Sequence, residues 1–207
     1  MAKAILFSDG ALLDSRELQF LSLNSALERH ACAITLEEHV RRLDGLSLSE
    51  KLKFLTDAER LDPGLVETVY LETLHRWNCA VRLCVRQDRI KQALMLTLRS
   101  FGLCTAVCSS APQDVLGTTM EALGVHPWVD VALGGDQGIP VTQLHARAAE
   151  IMAIPLSDCV VVEDSPLGLA WAVSAGFSQL VHLTGPNHLN IGLLRSYLPA
   201  EPQPRAA

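Results

Sequence analysis

Residues 159–176, CVVVEDSPLGLAWAVSAG, place a short apolar run, an acidic turn and a helix-period segment in direct succession. A run such as CVVVED is typical of a strand that is buried on both faces. Asp164, Ser165 and Pro166 form a favourable helix start, because a side-chain oxygen accepts hydrogen bonds from free N–H groups and proline suits the first helical turn. The stretch predicts one strand–turn–helix unit of a parallel sheet.

The same alternation extends in both directions from this unit. Helix-period segments at residues 88–101, 112–123, 142–154 and 166–175 are followed by the β-rich runs LCTAVCSS, WVDVAL, CVVVED and QLVHL. The run AILF at residues 4–7 has the same apolar character. Helices between short apolar strands indicate an α/β fold, a Rossmann-like parallel sheet covered by helices on both faces.

Residues 16–86 interrupt this series with successive helical patterns and no convincing strand. The simplest interpretation is a helical cap inserted after the first strand. The predicted organisation is a core formed by residues 1–15 and 87–187, a cap at residues 16–86, and a C-terminal helix with a disordered tail at residues 188–207. The tail is predicted from its Pro/Ala-rich end, PAEPQPRAA.

Composition narrows the classes of partner. The chain has 207 residues, 49% of them hydrophobic, and a formal net charge of −6. Without a run of Lys or Arg, it offers no electrostatic footprint for nucleic acid or for an acidic membrane surface. The apolar run at the N-terminus is too short for a signal peptide, and no 18-residue apolar span follows. We expect a cytoplasmic protein with no nucleic-acid or membrane partner.

Ligands of open parallel sheets bind beyond the carboxyl ends of the strands. The residues that directly follow the predicted strands are therefore the candidate site residues. They lie at positions 7–10, 109–110, 134–139 and 163–165.

Three of these strand ends, ILFSDGALLDS (residues 5–15), AVCSS (106–110) and VVVEDSPLGLAWAVSAG (160–176), resemble motifs of the haloacid dehalogenase (HAD) superfamily. The resemblance covers residues 3–185 and is greatest to its helical-cap branch, which contains phosphoglycolate phosphatase and β-phosphoglucomutase. It implies that Ser109 holds phosphate and that Asp9 is the acid/base residue. It also implies Mg²⁺ ligands at Glu163 and Asp164, together with Asp9.

The charged groups of the family pattern are missing at separate points. The resemblance places Phe7 where the family has its nucleophilic Asp, and Ile139 where it has a Lys. Neither side chain can attack phosphorus or neutralise a phosphoryl group. The cap segment RLDGLSLSE has Asp44 and Leu48 where related mutases present basic residues to the substrate. The implied cap positions that determine specificity are Gln19, Asp44, Gly45 and Ser47.

These departures favour a pseudoenzyme, in which Asp9, Glu163 and Asp164 are vestigial and Mg²⁺ binding is weak or absent. Its function would be to bind a protein partner or a small-molecule ligand. The alternative is an atypical Mg²⁺-dependent phosphatase of the HAD family that acts on a small phosphorylated metabolite.

Overall fold

A computed structural model describes residues 1–202 of the chain. Its centre is a parallel sheet of five strands, β1 (Ala4–Ser8), β2 (Cys104–Cys108), β3 (Val131–Leu133), β4 (Cys159–Glu163) and β5 (Gln179–His182). The strand order is β3-β2-β1-β4-β5. Every strand lies within or overlaps a run that the sequence analysis identified, so the predicted α/β fold is confirmed.

The helices follow the predicted alternation. In chain order they are α1 (Asp9–Leu12), α2 (Arg16–Glu28), α3 (Leu36–Glu38), α4 (Leu48–Asp57), α5 (Val66–Cys84), α6 (Arg89–Ser100), α7 (Gln113–Leu123), α8 (Leu144–Ile151), α9 (Pro166–Ser174) and α10 (Ile191–Leu194). A π-helical turn, His39–Leu43, continues α3. Helices α2 to α5 occupy the predicted cap.

Strand β1 is buried on both faces, and its alternating side chains enter two different clusters. Ile5 and Phe7 join the larger core cluster, which also contains residues of α5, α6 and α7. Ala4 and Leu6 face the opposite cluster, which includes residues of α8 and α9. This period-two alternation fixes the side on which each residue of the strand points.

The cap has its own apolar cluster, formed by side chains such as Leu23, Leu52 and Val69. Helix α4 begins with a capping box, in which Ser47 accepts from the Glu50 N–H and the Glu50 carboxylate accepts from the Ser47 N–H. Helix α5 joins cap and core, since Trp77 and Val81 in its second half belong to the larger core cluster. The proposed boundary at residues 86/87 remains a prediction.

Because all strand pairs are parallel, the carboxyl ends of the strands lie along one edge of the sheet. Ser8 pairs with Cys108, and Glu163 pairs with His182, at this edge. Part of the predicted disordered tail, residues 203–207, lies outside the described residues. Within residues 1–202, no helix combines the length and apolarity needed to cross a membrane.

Candidate functional site

A cleft between the cap and the carboxyl edge of the sheet encloses a cavity of about 170 Å³. It brings together most of the site residues predicted from the sequence. Those that line it are Gln19, Asp44 and Gly45 from the cap side, and Asp9, Ser109, Glu163 and Asp164 from the core. The resemblance therefore identified one contiguous site from segments that are far apart in the chain.

The end of β1 presents Ser8 to this cleft, not Phe7. The Ser8 Oγ donates a hydrogen bond to Asp164 Oδ1 at 2.9 Å and accepts one from the Ala11 N–H at 3.2 Å. Phe7 is fully buried in the larger core cluster and does not line the cleft. The placement of Phe7 at the reacting end of the site is therefore corrected, because the alternation of the strand directs its ring into the core.

Two further predicted residues lie outside the cleft lining. Ile139 packs against the cluster beneath α8 and α9 and does not line the cleft. Ser47 is buried at the start of α4, where its hydroxyl is engaged with Glu50. Ser47 thus acts as the cap of α4 and does not line the cleft.

The carboxyl groups of the core interact electrostatically inside the cleft. Burial raises the pKa of Glu163 to about 8, and the Asp164 and Asp9 charges add to this shift. Burial and the Asp164 charge likewise raise the pKa of Asp9 to about 6, although a hydrogen bond with the Ser109 side chain opposes the shift. The cleft therefore favours the protonated forms of Glu163 and Asp9, and Glu163 is mostly neutral at pH 7.

These carboxylates have the chemistry of Mg²⁺ ligands, because Mg²⁺ prefers hard oxygen donors. Two observations argue against a site that is preformed for the ion, however. The Ser8 hydroxyl binds directly to Asp164, and no three Asp, Glu, His or Cys side chains in residues 1–202 converge as a metal site. Weak Mg²⁺ binding remains a prediction, and no chemical step is derived through the metal.

His145, near the start of α8, lines the cleft and was missed by the sequence analysis. Its Nε2 lies 3.8 Å from Glu163 Oε1 and has no hydrogen-bond partner among residues 1–202. Burial lowers the pKa of the imidazole to about 4, so the ring is neutral beside the Glu163 carboxyl. The wall under α8 is therefore polar and uncharged at His145.

Lys51 of α4 is the second residue that the sequence analysis missed. Only 2% of the residue is exposed, and its Nζ donates to Gln19 Oε1 at 3.0 Å. Burial lowers the pKa of the amine to about 8, while Asp44, Asp9 and Glu50 act in the opposite direction. A cation from the cap thus lies in the electrostatic field of the core carboxyl group of Asp9.

The sequence carries a signal for Lys51. The buried residues of α4 are Leu48, Lys51, Leu52 and Leu55, which follow the i, i+3, i+4, i+7 spacing of an apolar stripe. A lysine within such a stripe indicates a buried amine that needs polar partners. No comparable pattern singles out His145, whose burial depends on how α8 packs against the sheet.

Gly10 allows the Asp164 carboxylate to lie against the start of α1. A Cβ at Gly10 would overlap both carboxylate oxygens of Asp164. We expect Gly10→Ala to displace this carboxylate, break its bond with Ser8 and lower the free energy of unfolding by about 1–2 kcal/mol. Gly117→Ala is the matched control, because nothing lies within 4 Å of its Cβ and alanine favours a helix by about 0.5–1 kcal/mol. Urea unfolding would measure the stability of both variants. If Gly10→Ala were stabilised as much as Gly117→Ala, the close approach of Asp164 to Gly10 would be contradicted.

Comparison with solved structures places this architecture among known folds. The β-phosphoglucomutase of Clostridium difficile superposes with a TM-score of 0.81 at 13% identity, covering 95% of this chain and 97% of that one. CbbY of Rhodobacter sphaeroides in complex with phosphate gives a TM-score of 0.80 at 19% identity, over 94% and 100% of the two chains. At these identities the likeness shows the fold.

Sequence comparison is more specific. A haloacid dehalogenase-like hydrolase domain-containing protein of Arabidopsis thaliana is 33% identical over 97 residues, or 44% of this chain and 31% of that protein. The match thus spans about a third of the length of this curated relative. Residues 5–181 match the family described as haloacid dehalogenase-like hydrolase, and this range contains β2, β3 and β4, all but one residue each of β1 and β5, and the predicted cap. The chain belongs to the haloacid dehalogenase-like hydrolase family.

Proposed function

We propose that this HAD-family chain binds a small ligand between core and cap and does not transfer phosphoryl groups through an aspartyl intermediate. The observation that carries the proposal is the end of β1. There the side chain that faces the cleft is the Ser8 hydroxyl, and it is already bonded to Asp164 and to the Ala11 N–H. A covalent mechanism of this type requires a carboxylate with a free lone pair at the attacking position.

The charges of the cleft support the same proposal. Ile139 lies outside the cleft, while Asp9, Glu163 and Asp164 line it together. Within residues 1–202, the lining contains no lysine that could neutralise a phosphate dianion, and its Arg16 is paired with Asp14. The small volume of the cleft, about 170 Å³, favours a small molecule over a protein segment as the occupant.

The test is a phosphatase screen in Mg²⁺ with p-nitrophenyl phosphate and several small phosphate monoesters. We expect no turnover that depends on the site, because the attacking carboxylate is missing. Any residual rate should be the same in Asp9→Asn, which identifies it as contamination. Turnover that persists through repeated purification and disappears in Asp9→Asn would overturn the proposal.

A second candidate function is hydrolysis with Asp9 as the nucleophile. It is favoured by one observation, the position of the Asp9 carboxyl beside the Ser109 hydroxyl and within the field of Lys51. Incubation with acetyl phosphate followed by mass spectrometry distinguishes the two functions. A phosphorylated Asp9 that is absent from Asp9→Asn would establish the hydrolase, whereas an unmodified chain supports ligand binding alone.

A further inference from the structure

The outer face of α5 carries a histidine and a cysteine that lie side by side, outside the cleft. His75 and Cys79 are both exposed, and the His75 Nε2 lies 3.7 Å from the Cys79 Sγ. Neither residue lines the cleft between cap and core. Side chains at i and i+4 share one face of a helix, and this is the spacing at which two helical residues bind one metal ion together.

The distance between the two donor atoms fits a single tetrahedral ion. Zn²⁺ binds a thiolate sulfur at about 2.3 Å and an imidazole nitrogen at about 2.0–2.1 Å. With a tetrahedral angle between them, these bonds place the sulfur and the nitrogen about 3.6 Å apart. The observed 3.7 Å between His75 Nε2 and Cys79 Sγ matches this separation, so neither side chain has to move far to bind the ion.

One chain supplies only half of such a site. Among residues 1–202, no third His, Cys, Asp or Glu side chain converges with this pair. Structural zinc sites are almost always four-coordinate, and two sulfurs with two nitrogens form a typical ligand set. One thiolate also leaves one positive charge of Zn²⁺ unbalanced, whereas two thiolates balance the ion. A second His75–Cys79 pair would supply both the missing ligands and the missing charge.

The surface around the pair is open to a second copy of the chain. His75 and Cys79 line both the groove between α5 and α7 and the groove between α5 and α2, so they lie on the ridge that separates these grooves. Leu71 and Leu83 continue the ridge by one turn in each direction, and they are 55% and 71% exposed. A row of residues at i, i+4, i+8 and i+12 forms the ridge that packs in the commonest class of helix–helix contact.

We propose that His75 and Cys79 bind Zn²⁺ and that a second copy of the chain supplies the same two ligands, so that the ion bridges a two-fold dimer through α5. The ion replaces the proton of each Cys79 thiol, which is released to solvent, and each His75 binds through a neutral Nε2. The same patch of both copies takes part, as a two-fold interface requires. The site is independent of the proposed ligand-binding function, because its ligands lie outside the cleft.

The probes are Zn²⁺ and Co²⁺, each added alone to the full chain in the presence of a thiol-free reductant. Sedimentation should show that the mass of the particle doubles as Zn²⁺ rises to one ion per two chains, and that EDTA reverses this change. Co²⁺ in the same site should give the visible absorption of a tetrahedral ion together with a thiolate-to-cobalt charge-transfer band.

Cys79→Ser removes the thiolate and should abolish the Zn²⁺-dependent dimer. It should also weaken Zn²⁺ binding by at least about a hundredfold, because the loss of an outer-shell partner alone costs about 10–100-fold. Cys84→Ser is the matched control, since Cys84 is also exposed on α5 but has Ala80 one turn before it. It should bind Zn²⁺ and dimerise like the wild type.

Cys79→His replaces the thiolate by another zinc ligand, and two histidines at i and i+4 also bind Zn²⁺. This variant should keep the Zn²⁺-dependent dimer and lose the charge-transfer band of Co²⁺. Without metal, both Cys79 variants should unfold like the wild type, because the side chain is exposed.

Equal Zn²⁺ affinity in the wild type and Cys79→Ser would overturn the metal site, as would an equal loss in Cys84→Ser. Zn²⁺ bound at one ion per chain with no change in mass would overturn the bridge to a second copy. A dimer that forms without metal and disappears on reduction would be a disulfide and would overturn it equally. None of these outcomes bears on the proposed absence of phosphoryl transfer, which the phosphatase screen tests separately.

Discussion

Phe7→Asp is expected to leave the chain largely unfolded at 25 °C and to restore no phosphatase activity. The ring of Phe7 is fully buried in the larger core cluster. Removing a buried aromatic side chain costs about 3–5 kcal/mol, and an unpaired carboxylate in the same apolar space adds a further penalty. A loss of roughly 5 kcal/mol or more equals or exceeds the stability of many domains.

Two matched variants separate the position from the charge. Phe7→Leu keeps the site apolar and should cost only about 1–2 kcal/mol. Ser8→Asp introduces the same carboxylate one residue later, where the side chain faces the cleft and caps α1. Since Asp is a good helix N-cap, this variant should fold, with a loss of about 1–2 kcal/mol from repulsion by Asp164.

Urea unfolding of the three variants gives the stabilities, and calorimetry with Mg²⁺ gives the effect on the site. We expect Mg²⁺ affinity to rise in Ser8→Asp, because the new carboxylate joins Asp164 at the end of β1. A stable Phe7→Asp chain with increased Mg²⁺ affinity would show that residue 7, and not residue 8, faces the cleft.

The contrast between residues 7 and 8 explains where sequence reasoning failed. A strand that is exposed on one face shows alternating polarity, which reveals the direction of each side chain. Strand β1 is apolar at Ile5, Leu6 and Phe7 because both its faces are buried, so this signal is absent. Counting back from Asp9 and Gly10 then placed Phe7 in the site, whereas the strand continues to Ser8.

The fold was predictable for the same physical reason. Largely apolar runs between helix-period segments are typical of buried parallel strands, and β2 and β4 lie within such runs. The acidic residues after β4 were predictable because the carboxyl ends of parallel strands share one edge. Glu163 and Asp164 indeed line the cleft with Asp9.

Buried polar side chains were the main omission. Lysine is rarely fully buried and histidine is intermediate, so composition and periodicity gave no reason to place Lys51, His145 or His39 in the interior. Their placement results from tertiary packing, because His39 contacts Phe20 and Lys51 bonds Gln19 within the cap, whereas His145 lies where α8 meets the cleft. Lys51 shows that a charged residue within an apolar stripe deserves separate consideration, since its neighbours in space decide its role.

His39 gives the second large effect, a loss of stability in acid that originates in the cap. The residue is fully buried, its ring contacts Phe20 edge-on with centroids 5.8 Å apart, and neither ring nitrogen has a partner among residues 1–202. Burial lowers the pKa of His39 to about 4 from the usual 6.5, and the nearby Lys51 charge adds to the shift. The folded state therefore resists protonation of this ring.

The direction of the pH effect follows from this difference. Above about pH 6.5 the imidazole is neutral in both the folded and the unfolded state, so it does not make the free energy of unfolding depend on pH. As the pH falls from 6.5 towards 4, His39 becomes protonated in the unfolded chain but stays neutral in the folded chain. The free energy of unfolding therefore decreases. Below about pH 4 the loss levels off near 3 kcal/mol. The raised pKa values of Asp9 and Glu163 act in the opposite direction, which is why the comparison must be made between variants.

In His39→Leu, the leucine side chain has nearly the same volume as histidine, has no polar atom that needs a hydrogen bond and cannot be protonated. We expect it to remove the acid-dependent loss, so that its advantage over the wild type grows by about 3 kcal/mol between pH 7 and pH 4. His75→Leu, at an exposed position of α5, is the control and should show no such growth. Urea unfolding at several pH values measures the difference. Parallel stability curves for His39→Leu and the wild type would mean that His39 is protonated without penalty, and that its ring reaches solvent or a partner when the cap moves.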